Sequence, residues 1–201
     1  CPRTLPDETS GRDNLYYHYQ HRKGGSCMRF CFITGHRPNR FKFPENYPRC
    51  DKIKSAIRSE IIRLYEQDGI RGVWVGGAAG VDTWAAEIVL ELQQQKQYHD
   101  LELHVAIPFT EFGDTFAPQQ KERYQRILNE CADSVVVCKS YRQDAYKRRD
   151  YYMVDRSVCG IAVYDLDKSI RSGTGMTYNY AVLKKKLPVT VIHPDTDSII
   201  K

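Results

Sequence analysis

The 201-residue sequence has no uncharged apolar run near the roughly 18 residues that a membrane-spanning helix needs, which argues for a soluble globular chain without a membrane partner. It is also short of paired cysteines. Seven is an odd number, no C-x-x-C pair occurs, and Cys27/Cys31 and Cys131/Cys138 lack a nearby H-x-x-x-H. That spacing excludes a complete disulfide framework and supplies no tetrahedral zinc site, so no metal is expected and the thiols fit a reducing, cytoplasmic compartment. Nor is charge of one sign abundant: 30 Lys+Arg against 25 Asp+Glu leave +5. Such an excess helps to hold one anionic ligand but is too small for a protein that coats nucleic acid. Residues 1–27 lack both the apolar core of a signal peptide and a clear amphipathic period. They are read as an N-terminal extension with room for flexibility, and the folded domain as residues 28–201, starting at Met28.

From there, short apolar runs alternate with longer segments of helical period. The run Phe30–Thr34 stops at Gly35 and reads as a buried strand, followed by a polar loop whose three prolines rule out a regular helix. Ile53, Ile57, Ile61 and Leu64 recur at helical spacing between Cys50 and Asp68, with Gly69 as the stop. A strand at Gly72–Val75 runs through the glycine loop Gly76–Gly80 into a helix from Val81 to Gln95. The same grammar predicts strands at Leu101–Ile107, Ser134–Cys138, Val158–Tyr164 and Pro188–Ile192, with helices near Pro118–Ala132 and Met176–Lys185. Strands separated by helices require crossover connections, so the fold expected is α/β, a Rossmann-like three-layer α/β/α sandwich with a mainly parallel sheet.

In such sheets ligands bind beyond the carboxyl ends of the strands, where the chemically unusual segments of this chain fall. Gly35, His36 and Arg37 follow the first strand; Arg37 can grip a phosphate or carboxylate bidentately, and His36 can exchange a proton near neutrality. Gly76, Gly77, Ala79 and Gly80 bring backbone N–H groups toward a phosphate at a helix start, with Asp82 in the first turn. Pro108 ends the third strand. Ser172, Gly173, Thr174, Gly175 and Thr177 form a second glycine-and-hydroxyl loop beside Arg171. Arg149, in a basic, tyrosine-rich segment, is a further ligand-binding candidate. Glu87, on an apolar helix face, and Asp155 are the candidate bases should the protein be an enzyme. Tyr141, Tyr146, Tyr151 and Tyr152 could stack on bases or roof a small pocket.

The ordered set FITGHRP, GGAAGVDTWAAE, ERYQRIL, KRRDYYMVDRS, AVYD and SGTGMT, from Cys31 to about Ile192, resembles the YpsA-like branch of the SLOG superfamily. GGAAGVD is also similar to the glycine segment of the more distant DNA-processing relative DprA. The resemblance implies a Rossmann-like domain that uses the TGHR, GGAAGVD and SGTG loops to bind a nucleotide or nucleotide-derived ligand; it implies no particular reaction. Relatives of the LOG type, phosphoribohydrolases, follow their glycine-threonine motif with a Glu, whereas Tyr178, Asn179 and Tyr180 stand here. The function expected is therefore binding or sensing of a nucleotide-like small molecule, with no cofactor required. The alternatives are hydrolysis of an N-glycosidic or phosphate bond and, less favoured, single-stranded DNA binding. A homo-oligomer stays open.

Overall fold

The computed structural model describes residues 3–4, 28–167, 169–196 and 198–200. Among the described residues eight strands form one sheet: β1 (Arg3–Thr4), β2 (Arg29–Gly35), β3 (Ile70–Val75), β4 (Glu102–Phe109), β5 (Asp133–Cys138), β6 (Cys159–Val163), β7 (Val189–Ile192) and β8 (Ile199–Ile200). Their order across the sheet is β1-β5-β4-β3-β2-β6-β7-β8. Every neighbouring pair is parallel except β7–β8. The sandwich is thus the α/β, Rossmann-like fold expected. Of the N-terminal extension, only Arg3–Thr4 lie within the described residues, and they extend the sheet beyond β5.

Strand residues divide between two apolar layers by the alternation of a pleated strand. Cys31 and Ile33, Val73 and Val75, and Leu103, Val105 and Ile107 face one layer. It is closed by α1 (Pro48–Asp68), α2 (Val81–Gln93) and α3 (Pro118–Glu130). Phe30, Phe32, Trp74 and Ala106 face the other, covered by α4 (Ala145–Asp155) and α5 (Gly173–Asn179), the latter running on into a π turn at Tyr180–Lys184. α1 opens on Pro48, whose missing N–H has no acceptor to lose in a first turn. Its Cys50, Ile53, Ile57, Ile61 and Leu64 are buried as one stripe, and Gly69, at φ 67°, donates its N–H to the Leu64 carbonyl to end it.

Several boundaries differ from the sequence expectation. Pro108 lies inside β4 rather than after it. The basic, tyrosine-rich segment folds as α4, and the last helix starts three residues earlier than expected, at Gly173, because the Ser172 side chain caps it by accepting the Gly175 N–H at 3.0 Å. No helix among the described residues is long and apolar enough to cross a membrane.

Candidate functional site

The chain runs from β2 outward through β3, β4 and β5, then returns to lay β6 on the other side of β2. This reversal makes the carboxyl ends of β2 and β6 a topological switch point, where adjoining loops part and leave a crevice. A cleft of about 260 Å³ opens there. The end of β2 lines it with Thr34, Gly35, His36 and Arg37, the loop after β3 with Ala78 and Ala79, α2 with Asp82, α4 with Tyr146, Arg149, Asp150 and Met153, and the start of α5 with Ser172, Gly173 and Thr174.

The floor is a buried polar network. Arg149 donates from Nε to Asp150 Oδ1 at 2.7 Å and from Nη1 to the Gly76 carbonyl. Its Nη1 also lies 3.7 Å from Asp82 Oδ2. The Thr177 hydroxyl sits 2.8 Å from Asp150 Oδ2 and 2.9 Å from the Gly173 carbonyl, so its single proton ties α4 to α5 or closes the first turn of α5. A side chain at Gly76 would have no room, since a Cβ there would fall 1.9 Å from Arg149 Nη1. Gly80 holds φ 91° just before α2 and lets Asp82 turn back to accept the Ala78 N–H at 3.2 Å. The GGAAG loop thus spends one of its amides on the chain's own carboxylate. Burial pushes the Asp82 carboxyl above its ordinary range; Arg149, the Ala78 amide and Arg37 pull against that without reversing it.

The wall beside β6 is built on His36, which is 3% exposed. Burial lowers its pKa, the nearby Asp165 carboxylate notwithstanding. His36 Nε2 lies 3.2 Å from Asp165 Oδ1 and 3.4 Å from the Asp165 N, so it donates to the carboxylate when it carries the proton and accepts the amide N–H when it does not. Burial also pushes Asp165 up, but Arg40, donating from Nε at 3.2 Å and Nη2 at 2.8 Å, together with the Asp167 amide and His36, holds it below the usual carboxylate range. Arg40 is therefore spent on structure. Arg37 and Arg171 are not: both line the cleft, both are exposed, and among the described residues neither has a carboxylate partner. Arg37 rests over the Tyr146 ring, 5.2 Å from its centre.

Of the residues singled out from sequence, Gly35, His36, Arg37, Ala79, Asp82, Arg149, Ser172, Gly173 and Thr174 meet in this lining. Gly76, Gly80 and Thr177 support it from behind, through the Arg149 bond, the α2 cap and the Asp150 bond. Gly77, Pro108 and Gly175 are outside the lining. Glu87 is placed elsewhere: it is bound by Arg123 at 2.9 and 2.7 Å, joining α2 to α3. Asp155 points away too, toward Tyr180 at 2.9 Å and Lys185 at 2.6 Å. Both expected bases sit outside the cleft because each carboxylate has a cation of its own on a neighbouring element. Of the four tyrosines only Tyr146 lines the cleft; Tyr151 stacks on Tyr180 at 3.6 Å, and Tyr152 packs under Arg156. Asn39, Arg40 and Asp150 were not anticipated. Asp150 had one usable signal, its place beside Arg149 on a segment that would have to bury both. No group of three or more His, Cys, Asp or Glu among the described residues is arranged to hold a metal ion.

The family model described as the YspA SLOG family matches residues 31–196. The chain is similar to a UPF0398 protein of Bacillus cereus (strain ATCC 14579), 32% identical over 144 residues that cover 70% of this chain and 77% of the relative. A UPF0398 protein of Bacillus thuringiensis (strain Al Hakam) matches with the same identity and coverage. Among solved structures, the X-ray structure of TM1055, a structural genomics target, superposes with a TM-score of 0.48 at 15% identity, covering 81% of this chain and 72% of that one. The matched segment reaches from β2 past the end of β7 and contains every residue that lines the cleft, and the chain belongs to the YspA SLOG family, the branch its motifs resemble.

Proposed function

We propose that the cleft binds the anionic part of a nucleotide or nucleotide-derived small molecule and that the protein acts as a binding or sensing module for it. One observation carries this reading: two arginines, Arg37 and Arg171, converge on a switch-point cleft without a carboxylate partner among the described residues. A planar guanidinium suits phosphate oxygens, and a phosphate between two of them neutralises both. The start of α5 supports it further. Ser172 takes the Gly175 N–H and the Met176 N–H, while those of Gly173 and Thr174 belong to the first turn, where a helix offers no acceptor of its own. A Cβ on Gly173 would meet nothing within 4 Å, so packing does not demand glycine there, whereas a ligand close to the backbone would. The two bases expected from sequence for hydrolysis of an N-glycosidic or phosphate bond, Glu87 and Asp155, are engaged outside the cleft, which leaves His36, Asp82 and Asp150 as the proton-exchanging groups that line it.

The test is thermal unfolding with millimolar nucleoside mono- and diphosphates, dinucleotides and cyclic nucleotides. A ligand at about 100 times its Kd stabilises the folded state by roughly 2.7 kcal/mol, which raises Tm measurably. No shift with any of them would overturn the proposal. A ligand that shifts Tm and returns unchanged by mass spectrometry after prolonged incubation separates binding from turnover.

A further inference from the structure

Asp82 stands apart from the other buried charges of the cleft floor. Arg149 is committed to Asp150 and to the Gly76 carbonyl. Asp150 has a donor within reach of each oxygen, Arg149 at Oδ1 and the Thr177 hydroxyl, shared with the Gly173 carbonyl, at Oδ2. Asp82 has one: Oδ2 receives the Ala78 N–H and lies near Arg149, while Oδ1 accepts no hydrogen bond from any described residue. Yet Asp82 lines the cleft with its side chain only 10% exposed. In its ionised form this carboxylate can only accept, and its unbonded oxygen, not among the fully buried atoms of the described residues, opens onto the cleft where a donor can reach it.

The surroundings narrow the donor. Arg37 and Arg171 at the rim would repel an ammonium group, so a neutral hydroxyl fits better than an amine. At about 260 Å³ the open cleft is below the roughly 300–1,000 Å³ of sites that engulf a drug-sized ligand. It suits a phosphate with a sugar and leaves a base outside. We infer that Asp82 is the specificity-determining residue of the site, its free oxygen taking a sugar hydroxyl of a phosphorylated sugar whose phosphate lies between Arg37 and Arg171. This rests on the reading of the cleft as an anion site. The shared chemistry is a phosphorylated pentose, either free or as the sugar of a ribonucleotide.

Calorimetric titration with ribose 5-phosphate, AMP, GMP, CMP and UMP, each beside its 2′-deoxy counterpart and with 3′-deoxy-AMP added, tests it and tells the free sugar from the nucleotide. Wild type should prefer a hydroxylated compound over a deoxy form by roughly 10- to 150-fold, the worth of one hydrogen bond to a charged group. Asp82→Ala should bind the two forms equally. Asp82→Asn, which keeps an acceptor for the Ala78 amide and so guards the fold, should retain only part of the preference. Arg37→Ala should weaken all forms alike and leave the preference intact. Equal wild-type affinity for hydroxylated and deoxy forms would overturn the role of Asp82 while leaving the anion site standing; full preference in folded Asp82→Ala would do the same. If no compound binds, the anion site falls and the inference with it.

Discussion

At the scale of single residues, the cleft separates side chains that hold the fold from side chains that face a ligand. Arg37 is the second kind. It is exposed, and a hydrogen bond to a charged group is worth about 1.5–3 kcal/mol. Arg37→Ala should therefore weaken binding of a phosphorylated ligand roughly 10- to 150-fold with little change in Tm, and Arg37→Lys should restore only part, because charge returns without the bidentate fork. Equal calorimetric affinities in wild type and Arg37→Ala would show the arginine to be merely solvated. The glycines divide in the same way. At Gly76 a methyl would fall 1.9 Å from Arg149 Nη1 and 2.6 Å from Asp82 Oδ2, so Gly76→Ala must break a buried ionic network. It should lose roughly 3 kcal/mol or more of stability, the range for breaking buried charge pairs. At Gly173 a methyl meets open space, so Gly173→Ala should keep stability or raise it by the roughly 0.4–1 kcal/mol that such changes give at compatible backbone, while losing ligand affinity. A Gly173→Ala protein that binds as wild type does would remove that loop from the site.

At the scale of elements, Glu87 shows where sequence reasoning stopped. Its position on an apolar helix face was legible, and so was the cost of burying it. What was not legible was Arg123, 36 residues away on α3, since nothing in the spacing says which helices lie side by side. Arg123 in turn holds Glu45, which also accepts the Trp84 Nε1–H at 2.7 Å, so one arginine binds the proline-rich loop to α2 and α3. Glu87→Gln should leave the fold intact, reduce stability by about 1–2 kcal/mol as a partly buried charged hydrogen bond is lost, and leave ligand affinity unchanged. An affinity loss without a stability loss, in parallel urea and calorimetric measurements, would return Glu87 to the site. The glycine loops and TGHR were legible because glycine, proline and arginine punctuate the chain where strands end. α4 was harder: its tyrosines and charges carry no clean apolar stripe, and although Arg149 stands out as a ligand-binding candidate, its burial together with Asp150 is not legible.

At the scale of the whole molecule, alternating strands and helices made the sandwich legible, but not the order of the strands, which depends on pairing between segments far apart in the chain. That order brings His36, at the end of β2, against Asp165, just after β6, across the switch point. Their titration couples the stability of the molecule to pH. His36 has its pKa lowered from 6.5 on folding, so between its folded value and 6.5 the unfolded chain binds more protons. Stability therefore rises with pH in that window and is lost as pH falls below 6.5. Asp165 and Glu45, lowered from 3.8 and 4.5, contribute stability that is present above those values and lost on further acidification through their folded pKa values. Asp82 opposes them: raised from 3.8, it favours the folded state most at low pH and loses that contribution as pH rises from 3.8 through its folded value. Urea midpoints followed from pH 8 down to about pH 3 should thus fall in two stages, the first, below 6.5, belonging to His36 and the second, below 4.5, to Glu45 and Asp165. Replacing His36 with Asn should lower stability at pH 7.5 and flatten the decline that sets in below pH 6.5. If wild type and His36→Asn decline in parallel through that window, the histidine titrates alike folded and unfolded. The β2–β6 junction would then contribute nothing to the acid sensitivity of the molecule.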